Sequence, residues 1–243
     1  MLSKTELKYI QSLAQKKYRQ QENLFIAEGP KVIEEALNSP FATIKKIFAL
    51  KDWVSANDKY NKSTEIVTID EIELERISQL KTPNQVVALI EIPWSEGFIF
   101  EKKKTALALD GIQDPGNMGT IIRIADWFGI KQIICSEDCA DIYNSKVVQA
   151  SMGSIFRTEV FYTNLPEWLK QQNAIIYGAA LDGKPLKSFK KIEPGILVIG
   201  NESKGIRPEV MQQVQQKITI EKIGEAESLN AAVATGIILS QII

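Results

Sequence analysis

Four loops in this sequence carry side chains that could do chemistry. The densest is Gly200-Asn201-Glu202-Ser203-Lys204-Gly205-Ile206-Arg207-Pro208, directly after the apolar run Ile196 to Ile199. An amide, a carboxylate, a hydroxyl and two cations within nine residues of a buried strand exceed what a plain connection needs. A second loop runs from Asp110 to Gly119 and leads into Arg123. Its glycines allow a close backbone approach to a ligand. Asn117 can cap the following helix and present an amide. Arg123 can reach a phosphate as a fork-shaped donor. A tight turn with an N-cap accounts for the same residues equally well. A third loop, Ala180-Leu181-Asp182-Gly183-Lys184-Pro185, is explained by a Gly-Pro turn. In the fourth, Gly224 to Ala231, Ser228 or Asn230 can simply cap an Ala-rich helix.

The whole composition narrows the chemistry. The 243 residues contain no histidine, which excludes a Ser-His or Cys-His pair and a histidine base. Cys135 and Cys139 cannot build a disulfide framework, and a CxxxC pair without histidine is a poor metal site. No metal is expected, and a reducing, cytoplasmic setting fits. No apolar run approaches the ~20 residues that span a bilayer. Met1 to Gln21 is polar and Lys-rich, unlike a secretory signal. The net charge of −1 argues against a broad polyanion interface. Charge is nevertheless uneven. Between Met1 and Lys31 stand Lys4, Lys8, Lys16, Lys17, Arg19 and Lys31 against Glu6, Glu22 and Glu28. This is a modest basic patch or a solvated helix face.

The elements that must position these loops alternate. Ser3 and Glu6 suggest a capping box ahead of a helix with Leu7, Ile10, Leu13 and Ala14 on one side. Phe25 to Ala27 reads as a strand, and Val32, Ile33, Ala36 and Leu37 as a helical stripe after Gly29-Pro30. Strands follow at Ile44–Leu50, Glu65–Thr68 and Val86–Ile92, with a short helix at Glu71–Gln79. Pro93 to Gly97 and the Glu101-Lys104 run read as an interdomain break. From Thr105 the spacing predicts strands at 106–109, 132–135, 174–180, 196–199 and 217–220. Helices are predicted at 117–128, 165–172, 208–215 and 229–242. This alternation implies a parallel sheet covered on both faces. In open sheets of that kind ligands sit beyond the carboxyl ends of the strands, where the loops above lie. The sequence lacks a GxGxxG fingerprint, which speaks against a dinucleotide-binding oxidoreductase.

Together the loops resemble the three signature motifs of the SpoU/TrmH methyltransferases, within the SPOUT superfamily. The first is Asp110 to Arg123, with Asn117, Gly119 and Arg123 in place. The second is Ile199-Gly200-Asn201-Glu202 with Gly205 and Ile206. The third is Ser228-Leu229-Asn230 followed by Ala231-Ala232-Val233-Ala234. Phe25 to Gly29 and Val32 to Leu37 also resemble that family's substrate-binding domain. Two positions depart from the family. Glu221-Lys222-Ile223 stands where a proline usually follows the strand before the third motif. Ala231 replaces a valine.

The resemblance implies an α/β chain in two parts. Residues 1–95 form an N-terminal RNA substrate-binding domain, 96–104 a linker, and 105–243 a trefoil-knotted methyltransferase domain. It implies a homodimer with active sites at the subunit interface. Its cofactor is S-adenosylmethionine, held by Ala180, Leu181, Gly200, Asn201, Glu202, Ile220, Ser228, Leu229 and Asn230. Asn117, Arg123, Glu202, Ser228 and Asn230 match catalytic positions. The expected reaction is methylation of a ribose 2′-oxygen in ribosomal RNA, ahead of transfer RNA. Lys16, Lys17, Arg19, Lys31 and Arg123 are expected to meet that RNA. The alternative is a non-catalytic RNA-binding relative that kept the fold.

Overall fold

The computed structural model describes residues 1–60, 64–93, 99–101, 103–189 and 192–243. Residues 94–97 of the break expected at Pro93 to Gly97, and residues 96–98 and 102 of the linker expected at 96–104, lie outside the described residues. By contacts the chain divides into two compact units, Met1–Ser95 with Tyr143–Phe156, and Glu96–Ile142 with Arg157–Ile243.

The first unit runs α1 (Lys4–Ser12), α2 (Lys16–Glu22), β1 (Leu24–Glu28), α3 (Pro30–Asn38), β2 (Ile44–Ala49), α4 (Lys51–Ala56), β3 (Ile66–Thr68), α5 (Glu71–Ile77) and β4 (Val86–Glu91). Its sheet has the order β1-β4-β2-β3, antiparallel except for the β2–β3 pair. Ile10, Leu13, Phe48, Leu74 and Ile77 join α1 and α5 to one face of that sheet. Ser3 caps α1 by accepting from the Glu6 amide at 3.1 Å. The expected reciprocal half of the capping box does not form, because Glu6 instead accepts from Lys46 Nζ at 3.0 Å. A complete capping box stands at α5, between Asp70 and Glu73.

Glu28 ends β1 with 2% of its surface exposed. Its carboxylate accepts from Ser78 Oγ at 2.5 Å and from the Gln79 amide at 2.7 Å, which ties β1 to the end of α5. Burial nevertheless raises its pKa above the ordinary 4.5, against the lowering effect of those two donors. The folded chain therefore keeps this proton to a higher pH than the unfolded chain does. The stability this contributes is complete below about pH 4.5 and is lost as pH rises through the folded value. Glu28→Gln is expected to flatten the fall in unfolding free energy on the alkaline side of 4.5, measured by urea titration at several pH values. An unchanged pH slope would count against a protonated Glu28.

The second unit holds β5 (Ala106–Asp110), α6 (Pro115–Trp127), β6 (Gln132–Ser136), β7 (Glu159–Thr163), α8 (Leu165–Lys170), β8 (Ile175–Pro185), β9 (Gly195–Gly200), α9 (Pro208–Met211), β10 (Gln216–Thr219) and α10 (Ala231–Ile242), whereas α7 (Ser145–Ser151) belongs to the first. All six strands are parallel, in the order β10-β8-β9-β5-β6-β7. Strands β5, β6 and β9 are buried end to end, apart from partly covered Gly200. This is what continuous apolar runs in a doubly covered sheet require. The α/β class, the parallel sheet and the smaller N-terminal unit expected from the sequence are all present.

Several local expectations change. Strand β8 continues through Leu181 to Pro185, where a Gly-Pro turn was expected. Gly183 is small because β10 crosses it. A Cβ there would lie 2.7 Å from the Ile218 backbone. The β8–β10 register jumps from Gly178 to Lys184 between Lys217 and Ile218, so 179–183 bulges. Helix α9 stops at Met211 rather than Gln215. Gln215 is taken by the start of β8 instead, its amide bonding Ile176 O at 3.0 Å. The segment Tyr143–Phe156, with α7, packs in the first unit. Phe25 lies 4.7 Å from the Tyr143 ring and 6.4 Å from the Phe156 ring, and Gln149 Nε2 donates to Glu28 O at 2.7 Å. Of the expected linker, Phe100 is buried against Trp168, and Ile99 and Glu101 are bonded to Gln132.

Candidate functional site

The strand order reverses between β5 and β9. From β5 the chain steps outward to β6 and β7, then returns to the other side for β8, β9 and β10. Ligands of open parallel sheets bind beyond the carboxyl ends of strands at such a point. Asp110 and Gly200 are register partners there, and the two richest polar loops begin at those residues.

Asp114 caps α6, its carboxylate accepting from the Asn117 amide at 2.8 Å, with Pro115 at the first helical position. The cap is therefore Asp114, not Asn117, and Asn117 is left free to use its side chain elsewhere. Its Nδ2 donates to the Glu202 carboxylate, and its Oδ1 accepts from Asn230 Nδ2 at 2.7 Å. Asn230 in turn caps α10, its Oδ1 accepting from Ala232 at 3.0 Å and Val233 at 3.2 Å. This cap is why the closing helix begins at Ala231 rather than Leu229. A directed chain results, from the α10 amides to Asn230, to Asn117, to Glu202. Each amide's orientation is set by helix donors at one end and a carboxylate at the other. Residues 85 and 113 positions apart are thereby joined.

The loop carrying Glu202 is a closed miniature hairpin. Asn201 and Gly205 exchange main-chain bonds of 3.0 and 2.8 Å, with Gly205 at φ +68°. Asn201 Oδ1 accepts from Ser203 and Lys204, and its Nδ2 donates to Gly111 O at 2.9 Å. These bonds make Asn201 a shaping residue of the loop, and its Nδ2 has a second N–H beyond the one given to Gly111 O.

The remaining expected residues fall in three places. Leu181 is 77% exposed, and its carbonyl accepts from Thr219 Oγ1 at 3.2 Å, which puts Ala180, Leu181 and Ile220 along one edge of the β8–β10 pair. Ser228 and Leu229 lie in the exposed run 221–230, and Ser228 makes no hydrogen bond among the described residues. Arg123 is exposed and makes no hydrogen bond or ion pair among them. Helix α6 starts at Pro115, so Arg123 is not on its first turns. It stands six residues beyond Asn117, about 9 Å along the axis.

In the first unit Lys16, Lys17 and Lys31 are exposed. Arg19, expected among the RNA contacts, is buried at 3% exposure. Its Nη1 donates to Leu13 O and Ala14 O at 2.9 and 2.8 Å, so it braces the α1–α2 turn and does not face a polyanion.

One pair went unremarked in the sequence. Arg207 binds the fully buried Asp110 carboxylate with Nε at 2.7 Å and Nη2 at 2.5 Å, and its main-chain amide reaches the second oxygen at 2.7 Å. Asp110 holds the guanidinium above its usual pKa. A carboxylate closing a buried apolar strand implies a cationic partner. The sequence alone did not say which of the many lysines and arginines it was.

Cys135 and Cys139 are both buried free thiols. Burial pushes Cys135 up, whereas hydrogen bonds, from Cys135 first, lower Cys139 to about 7. Two clefts, one along Gln172–Ile175 and Gln215 and one along Tyr177, Lys184 and Phe189, touch none of the expected site residues. No helix among the described residues is long and apolar enough to cross a membrane.

A parallel α/β unit with its polar cluster at the strand-order reversal defines a ligand-binding α/β protein. Residues 104–240 match the SpoU rRNA methylase family, and residues 4–88 match the MRM3-like substrate binding domain. The chain belongs to the SpoU methylase family. It is 33% identical over 231 residues to 23S rRNA (guanosine(2553)-2′-O)-methyltransferase RlmP of Bacillus subtilis, covering 92% of this chain and 90% of that one. A solved TrmH-family structure from Porphyromonas gingivalis shares 37% identity at a TM-score of 0.86, covering 99% and 98% of the two chains. An S-adenosylmethionine-bound rRNA methyltransferase from Sinorhizobium meliloti shares 30% at 0.86, covering 99% and 95%.

Proposed function

We propose that this chain transfers the methyl group of S-adenosylmethionine to a ribose 2′-oxygen of RNA, with ribosomal RNA as substrate ahead of transfer RNA. The observation that carries this is the hydrogen-bonded chain Asn230–Asn117–Glu202, which draws all three family motifs to one place. The substrate follows the relative from Bacillus subtilis, which is named for 23S rRNA. The 2′-hydroxyl makes RNA rather than DNA the substrate.

The residues present fit S-adenosylmethionine. Leu181, Ile220 and Leu229 offer apolar surface with main-chain polar groups for its adenine and methionine parts, and Leu181 and Leu229 are 77% and 44% exposed. Ala180, Gly200, Glu202, Ser228 and Asn230 complete the set that would hold it. When bound, its sulfonium supplies an already activated methyl group. The protein's part is to place a ribose oxygen in line with it and to keep it there. Asn117 and Asn230 are pre-oriented amides for that purpose. Arg123 is a fixed cation for the adjacent phosphate. Its guanidinium, a planar donor with no acceptor, holds the 2′-oxygen in position rather than taking its proton. Lys16, Lys17 and Lys31 add backbone contacts from the first unit, a modest and salt-sensitive term.

The working unit is a homodimer. Helices α6 and α10 pack on each other and leave Trp127 84%, Val233 50% and Ile237 38% exposed. Such an apolar surface marks an interaction site. Arg123 stands one turn from Trp127 on α6, away from its own Asn117, and a partner copy brings a second Arg123 to complete the site. The setting is the cytoplasm, where Cys135 and Cys139 stay reduced.

Calorimetric titration with S-adenosylmethionine should show binding, and 2′-O-methylation maps of a strain lacking the gene should lose a mark in 23S rRNA. A loss confined to transfer RNA would overturn the ribosomal assignment. Absence of cofactor binding would favour the non-catalytic relative.

A further inference from the structure

We propose that Arg207 and Asp110 are a positioning pair, with Asp138 as an outer brace, that holds Glu202 in register with Asn117. This rests on the reading of Asn230–Asn117–Glu202 as the methyl-transfer site. The hairpin 201–205 has two feet. Its entry is fixed by β9, through the Asp110–Gly200 register. Its exit leaves through Ile206 to Arg207, and no strand among the described residues holds that side.

Arg207 supplies the missing constraint. All three donors on the Asp110 carboxylate come from this one residue, two from its guanidinium and one from its main chain. The main-chain bond fixes the path of the loop, and the fork fixes the rotation of the residue. From there a ring closes. Arg207 Nη2 lies 3.4 Å from Asp138 Oδ1, which accepts from Ser136 Oγ at 2.6 Å. Ser136 Oγ accepts from the Gly111 amide at 2.9 Å, and Gly111 O accepts from Asn201 at the hairpin's entry. Gly111 has φ +69°, a conformation that favours glycine. The ends of β5, β6 and β9 are thus tied into one frame, and both feet of the Glu202 hairpin stand on it. Displacement of either foot moves the carboxylate off Asn117, which then loses its orientation toward Asn230.

Arg207→Lys keeps the charge and the main-chain amide but loses the fork. It is expected to lower kcat about 10- to 100-fold, the scale of a small misplacement. The KM for RNA and the Kd for S-adenosylmethionine should stay within about 3-fold of wild type. If Arg207 acts through Glu202, its effect should vanish in a Glu202→Gln background. A residue with a merely structural role gives losses that multiply. Asp138→Asn, at an exposed carboxylate, is the milder variant for the case in which Arg207→Lys does not fold. It should lower kcat about 3-fold, and again not beyond Glu202→Gln alone. Turnover is normalised to the calorimetric number of cofactor sites. Full kcat in both variants, or losses that multiply with Glu202→Gln, would overturn the clamp and leave the site reading intact. Full kcat in Glu202→Gln itself would overturn the site reading.

Discussion

Replacing Arg123 by lysine should cut turnover by roughly 10²-fold, the scale of losing a positioning contact, while cofactor affinity and stability hardly change. The reasoning starts from exposure. Arg123 has no hydrogen bond or ion pair among the described residues, so nothing in the fold depends on it. Exposed substitutions of that kind shift stability by about 0.5 kcal/mol or less. Any large loss must then come from what the guanidinium does to substrate. Lysine keeps the positive charge, so simple attraction to RNA survives. It loses the planar fork that can hold two phosphate oxygens at once. The expected signature is a fall in kcat at saturating RNA, with an unchanged melting temperature and an unchanged titration with S-adenosylmethionine. Near-normal turnover would remove Arg123 from the mechanism. The proposed homodimer adds a second reading of the same variant. Mixing Arg123→Lys and Asn117→Ala chains should recover part of the activity, because each mixed dimer then holds one intact site.

The parts of this site that were legible in the sequence are those encoded locally. The buried strands β5 and β9 show as continuous apolar runs, and each hands its chain to a polar loop. The Asp-Pro step at the head of α6 and the Asp70–Glu73 box at α5 are equally local signals. Elements whose pattern is not their own were missed. Helix α2 is the polar run Lys16–Glu22, which presents no apolar stripe. Strand β7, Glu159–Thr163, has no fully buried residue. Helix α7 packs its face in the first unit, although its flanking segments in the sequence belong to the second. The fate of individual charges was least legible. Arg19 and Lys17 sit two residues apart in one basic run, yet one is buried on carbonyls and the other is exposed. The meeting of Asn117, Glu202 and Asn230 could be inferred from the family resemblance, but no spacing rule links positions so distant. The Asp110–Arg207 pair lay beyond both.

Gly200→Ala tests the geometry from the opposite side, because the change adds one carbon and alters no polar group. An ideal Cβ at Gly200 would stand 2.3 Å from Gly205 C, 2.4 Å from Ile206 N and 2.5 Å from Gly205 O. All three are main-chain atoms of the hairpin's return arm. A flexible side chain could step aside from such a contact, but this arm is bonded to Asn201 and leads straight to Arg207. The added carbon must therefore open the hairpin. Forced overpacking that shifts backbone costs about 1–3 kcal/mol. The expected result is a clearly lower urea midpoint together with a loss of turnover in the fraction that remains folded, since Glu202 rides on the displaced arm. Gly224→Ala is the matched control. Its Cβ would meet nothing within 4 Å, and both properties should stay at wild-type level. A Gly200→Ala protein with wild-type stability and kcat would mean that the two arms do not approach this closely. The close approach, rather than room for a ligand, is what requires glycine at this position.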